Sequence, residues 1–117
     1  GMLNALNKEE PDCLVVELGD GILGEYGVQA ILHDDELMAP AAAHVMCATD
    51  PVAAWGAVEL FKTKFKRPVS LISGPATDNA VGKDFIEGQI GVRALNARIE
   101  YELLGEFIEQ AVFGTKR

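Results

Sequence analysis

Three glycines and two acids carry the most chemically suggestive spacing in this chain. Gly19, Gly21 and Gly24 form a G-x-G-x-x-G arrangement directly after the apolar run Cys13-Leu14-Val15-Val16-Glu17-Leu18. That spacing lets a backbone lie against a pyrophosphate, because glycine presents no Cβ to the approaching oxygens. Glu17 sits near the end of the run and Asp20 lies inside the turn. A carboxylate there repels phosphate unless a metal ion stands between them. The pair therefore predicts a corner in which Glu17 and Asp20 hold magnesium or ligand hydroxyls rather than a bare phosphate cradle.

A second polar set is spread along the chain: Thr49 and Asp50, then Ser73, Gly74, Thr77, Asp78 and Asn79, and finally Asn96. Each follows an apolar stretch of strand character. The runs are Cys13 to Leu18, Ala43 to Ala48, Val69 to Ile72, and Val92 to Leu95. Continuous apolar runs suit strands covered on both faces, as in parallel sheets. Helical stretches fall between them. Met2 to Glu10 reads as a short helix, and Glu25 to His33 as another. Asp50-Pro51 starts a helix reaching Phe65, with Asp50 as cap and Pro51 in the first turn. In that helix Val52, Trp55, Val58 or Glu59, and Phe61 or Leu60 track the helical period. A further helix buries Val81, Phe85, Ile86 and Ile90 and closes at Gly91. In the last one, capped by Asn96, Ile99, Leu103, Phe107 and Ala111 recur every four residues. Strand and helix alternate four times, which predicts a mainly parallel sheet with helices on its faces. In such sheets ligands bind outside the carboxyl ends of the strands. That edge would gather Glu17, Asp20, Ser73, Thr77, Asp78, Asn79 and Asn96.

Structural roles compete for several of these residues. Asp50 and Asn96 read as helix caps, Thr77 or Asp78 as another, and Ser73-Gly74-Pro75 as a turn. Glu17 resists that treatment, since an acid ending a buried strand costs several kcal/mol unless paired or solvated. His33-Asp34-Asp35-Glu36 reads as a solvated loop, and His44 as a core histidine without a spaced partner. No nucleophilic triad is spaced along the chain. Cys13 and Cys47, the only cysteines, fall within predicted buried strands and read as reduced thiols in a cytoplasmic protein.

The formal charge of −8 argues against nucleic acid as a partner. The basic cluster Lys62, Lys64, Lys66 and Arg67 falls at a predicted helix end, where cations favour the macrodipole. No apolar run reaches the roughly 18–20 residues that cross a bilayer. Polar residues from Asn4 to Glu10 do not fit a secretory leader. With 49% apolar and 24% charged residues, 1–117 reads as one globular domain.

Gly19, Gly21 and Gly24 after a strand resemble the dinucleotide-binding fold. Glu17 departs from it, standing where an apolar residue belongs, and Asp50 lies too far along to hold the ribose. Leu14-Val15-Val16-Glu17-Leu18-Gly19-Asp20-Gly21 resembles the magnesium-side corner in the back half of a P-loop NTPase domain, of the dethiobiotin synthetase-like branch. The strands at Val45 to Ala48 and Val69 to Ile72, and the loop ending at Asn96, follow in the same order. The resemblance implies that Glu17 is a magnesium-side acid and Asn96 a residue near the base. No G-x-x-x-x-G-K-[ST] occurs in the chain: Gly74 to Lys83 has the wrong spacing, and Asp84 follows Lys83. It therefore implies no competent NTPase by itself and a partner that supplies the phosphate loop.

The expectation is a three-layer Rossmann-like α/β domain with about four strands. It would bind a nucleotide or phosphorylated small ligand, with magnesium, at the strand carboxyl ends. Gly19, Gly21 and Gly24 would admit the backbone, and Ser73, Thr77, Asp78, Asn79 and Asn96 would line the far wall. Homo-oligomerisation would cover an exposed sheet edge. The competing expectation is an interaction or regulatory module without a small-molecule ligand.

Overall fold

The computed structural model describes residues 12–19, 21–24 and 27–114. They form a mixed α/β unit with five helices and a small open sheet of three parallel strands. Helix α1 is Val28–His33 and α2 is Asp35–Met38; β1 is Val45–Cys47 and α3 is Pro51–Leu60. Strand β2 is Leu71–Ser73, α4 is Ala80–Phe85, β3 is Arg93–Ala94 and α5 is Tyr101–Phe113. The sheet order is β1-β2-β3, with Met46 opposite Ile72 and Ile72 opposite Ala94.

Local chemistry sets the two crossover helices. Asp50, in extended conformation, accepts from the Ala53 N–H at 2.8 Å, and Pro51 occupies the first turn of α3. Asn79 caps α4 in the same way, accepting from the Gly82 N–H at 2.9 Å. Both helices then widen into a five-residue π turn, Phe61–Phe65 after α3 and Ile86–Ile90 after α4. Each turn closes on a left-handed residue, Lys66 or Gly91, whose N–H reaches the carbonyl five residues back.

The buried stripes differ from the sequence expectation. In α3 and its π turn Ala54, Ala57, Phe61 and Phe65 are buried, while Val52 and Trp55 are exposed. The alanines let the helix lie close to the sheet, and the bulk comes from Phe61 and Phe65 beyond them. Along α4 and its π turn Gly82 and Ile86 face inward, and Val81 and Phe85 point out. Gly82 sets that rotation: a Cβ on it would run into the Ala76 carbonyl oxygen. The core joins Ala54, Phe61, Phe65 and Ile86 to Ile72 and Ala94, with Val28 and Leu32 of α1 against it. Removing such side chains from water is the main force that holds the sheet to its helices.

Other expectations change as well. The Cys13–Leu18 run forms no strand; it is an exposed, irregular segment, with Val15 90% exposed. A strand needs a ladder partner, and none among the described residues meets it. Cys13 and Cys47 are accordingly exposed rather than buried. The last helix begins at Tyr101, not after Asn96, and has no fully buried side chain; Ile99 and Leu103 are exposed. The first predicted helix, 2–10, Asp20 and the predicted start of the second helix at Glu25 lie outside the described residues; α1 is Val28–His33. Among the described residues no helix is long and apolar enough to cross a membrane.

Candidate functional site at the carboxyl edge of the sheet

Parallel pairing brings the carboxyl ends of all three strands to one edge, and the loops leaving it are pinned by backbone contacts. Ala48 N–H donates to Ser73 O at 3.0 Å, and Ala76 N–H donates to Ala48 O at 2.9 Å. Between them Gly74 adopts φ 85° and ψ −171°, a region open essentially to glycine. A Cβ there would sit 2.9 Å from the Ala48 oxygen. The conformationally required glycine of this edge is therefore Gly74.

Ser73, Thr77 and Asn96 form a buried tier beneath the edge. The Asn96 side chain donates to Thr77 Oγ1 at 3.1 Å and to Asp78 Oδ1 at 2.8 Å. Its own Oδ1 accepts from the Arg98 N–H at 3.0 Å, a tight Asx turn rather than a helix cap. Thr77 Oγ1 donates to Gly74 O at 2.7 Å, and Ser73 Oγ accepts from the Ala97 N–H at 3.0 Å. Asn96 is only 3% exposed, with both amide protons and its oxygen engaged. The tier stitches the ends of β2 and β3 together, as buried polar groups must be paired to avoid a desolvation penalty.

Above it lies the solvent-facing tier. Lys83 Nζ is held by both oxygens of Glu100, at 2.7 and 2.8 Å. Glu100 Oε1 also accepts from the Asn96 N–H at 3.0 Å. That N–H, with the Lys83 ammonium beside it, holds the Glu100 carboxyl below its ordinary value of 4.5. Asp78, Lys83, Asn96, Ile99 and Glu100 border a shallow depression of about 320 Å3. A second, of about 330 Å3, lies between the ends of β1 and β2 against Thr49, Asp50, Pro75 and Gly82, and Asn79 borders both.

Of the residues expected from sequence, Ser73, Thr77, Asp78, Asn79 and Asn96 come together at this edge. Gly19 and Gly21 lie in the exposed stretch, and Gly24 closes a turn onto Gly21 with an N–H···O of 2.9 Å. No hydrogen bond or ion pair among the described residues joins Glu17 to the polar network, and Glu17 is exposed and solvated. Its burial cost therefore does not arise. Asn79, not Thr77 or Asp78, caps α4. His44 is half-buried at the opposite edge, its Nδ1 3.2 Å from Pro68 O and its ring edge-on to Phe61. The Lys83–Glu100 pair escaped the sequence reading, because residues 17 apart on different elements leave no periodic trace.

The chemistry of the open tier is specific. The Glu100 carboxylate neutralises Lys83, while Asp50 and Asp78 add negative charge, so among the described residues bordering the two depressions a bare phosphate meets no unpaired cation. Among the described residues no group of three or more His, Cys, Asp or Glu is placed to hold a metal. Magnesium would need ligand phosphates to complete its shell, with one or two carboxylates from the protein. Comparison with protein-family models, curated proteins and solved structures found no match to this chain.

Proposed function

We propose that the carboxyl edge of the sheet binds a small polar ligand, a nucleotide or other phosphorylated molecule carried with magnesium. One observation carries the reading: the ends of β2 and β3 are locked together by the Ser73–Thr77–Asp78–Asn96 network beside an open depression. A fixed floor with polar groups above it is what a preformed small-molecule site requires. Asp78 and Glu100 take ligand hydroxyls or the magnesium of a bound phosphate; Lys83 turns from Glu100 to the ligand when phosphate competes for it. Asn96 positions the floor instead of contacting a base. A Cys13–Leu18 run pairing with the open edge of β1 would bring the sheet to about four strands and make the unit a three-layer Rossmann-like domain. Without a G-x-x-x-x-G-K-[ST] loop the chain does not turn over nucleotide alone. This agrees with its resemblance to half of a dethiobiotin synthetase-like domain in a cytoplasmic protein.

Thermal shift with ATP, GTP, NAD, NADP and coenzyme A, each with and without magnesium, tests the proposal. A ligand at about a hundred times its dissociation constant stabilises the fold by roughly 2.7 kcal/mol. The expected result is a magnesium-dependent rise that Lys83→Met and Asp78→Ala abolish, each variant's shift being read from its own unliganded melting temperature, which the lost Glu100 and Asn96 contacts lower. Silence across the panel would overturn it. The interaction-module reading is then favoured by the exposed apolar side chains of Leu14, Val15 and Val16.

A further inference from the structure

We propose that the open edge of β1 is completed by the Cys13–Leu18 run of a second copy of this chain, in a reciprocal strand exchange. The acceptor is visible in the ladder. His44 O accepts from the Ser70 N–H and Ala48 N–H donates to Ser73 O, so the even-numbered residues of this strand serve β2. In a parallel ladder alternate residues face opposite neighbours, so Val45 and Cys47 direct their N–H and C=O groups to the open side. Their side chains are uncovered as well: Val45 is 41% exposed, whereas its register partner Leu71 is fully buried.

The donor has the matching composition. Leu14-Val15-Val16 and Val45-Met46-Cys47 are both continuous apolar runs, the pattern of strands that lie inside a parallel sheet. Neither occupies such a position here. Beyond the donor run Ile22 packs against the core, and the end of the α3 unit holds α1 through Lys64–Gln29 and Arg67–Leu32 hydrogen bonds and α2 through Arg67–Asp35. The chain is thus anchored a few residues after the run, which projects as an arm. Two identical copies carry two arms and two open edges. Reciprocal exchange satisfies them one to one, and two-fold symmetry closes the assembly without leaving a β1 edge to propagate. The formal charge of −8 on each copy opposes association, so added salt tightens the pair. Parallel addition also delivers the second copy's Glu17 and its glycine turn to the carboxyl edge beside Thr49 and Asp50. That last consequence alone rests on the ligand reading above.

Sedimentation velocity of the full chain over a concentration series at low and high salt is the test, read beside Val16→Pro. Proline removes a ladder N–H, and Val16 is exposed and gives up no backbone hydrogen bond to another described residue. The expected result is a dimer that tightens with salt and weakens roughly tenfold or more in Val16→Pro, with unchanged helical circular dichroism. An added peptide spanning residues 12–19 should also dissociate it. A wild-type chain monomeric throughout would overturn the proposal, whether its residues 14–18 exchange amide hydrogens freely or are protected by folding back on their own sheet. So would a Val16→Pro dimer as tight as wild type. Because no ligand enters the experiment, failure of the ligand reading leaves its result intact.

Discussion

Replacing Asn96 by alanine removes two donated hydrogen bonds and one accepted bond from a side chain 3% exposed. A neutral pair contributes about 1 kcal/mol net, and a bond to a charged group about 1.5–3 kcal/mol. Thr77 and Arg98 are neutral partners through Oγ1 and backbone N–H; Asp78 is the charged one. Water reaches the exposed Asp78 carboxylate and replaces part of its loss. The expected net destabilisation is then about 2–3 kcal/mol, a large fraction of the stability typical of a small domain. At about 4 °C per kcal/mol for a chain of this size, melting should fall by roughly 8–12 °C. Urea unfolding followed by circular dichroism gives the same quantity from the midpoint, provided the slope is unchanged. Asn96→Asp sharpens the test: it keeps an acceptor for Arg98 but sets a carboxylate where the amide now meets Asp78 at 2.8 Å. At neutral pH it should destabilise at least as much as alanine. A loss below about 1 kcal/mol in both variants would refute the claim that this network locks β2 to β3.

Gly74→Ala should destabilise by at least about 2 kcal/mol in the same urea assay, combining backbone strain with the approach to Ala48. Wild-type behaviour there would remove the strained turn as an organiser of the edge. Lys66 is the one non-glycine residue with positive φ among those described, so Lys66→Gly should stabilise by up to about 1 kcal/mol. A lower melting temperature would mean that its side chain matters more than its backbone. Glu100, whose folded carboxyl lies below 4.5, contributes fully above that value and loses its contribution as pH falls through the depressed folded value. Glu100→Gln should therefore flatten the acid limb of the stability–pH curve, and an unchanged limb would contradict the pairing.

The alternation from β1 to β3 was legible because its signals are local. Asp50-Pro51 announces a helix start from neighbouring residues, and Val69 to Ile72 is apolar whatever surrounds it. The inward faces were less so. Gly82 looks like an interruption in a helix that buries Val81 and Phe85, yet its missing Cβ is what fits against Ala76. Cys13 to Leu18 carries the same composition as the β1 region, but a strand is completed only by another segment's hydrogen bonds, which no run of residues encodes by itself. At the site, Ser73, Thr77, Asp78 and Asn96 followed from the rule that parallel strands present their carboxyl ends together. Their division into a buried tier and an open one did not, because it depends on which protons the Asn96 amide gives away.

The two π turns have a consequence for how the chain can vary. Each is one residue longer than an α-helical closure. Deleting a single exposed residue, Lys62 or Thr63 in the first turn or Gly88 or Gln89 in the second, would let the helix close with ordinary spacing. The strands would keep their registers, since the slack is absorbed before Lys66 and Gly91. Elsewhere in either helix the same deletion would rotate the buried stripe by about 100° and expose the core. Each crossover unit thus carries its own site of permitted length change, at the end of its helix remote from the candidate ligand edge.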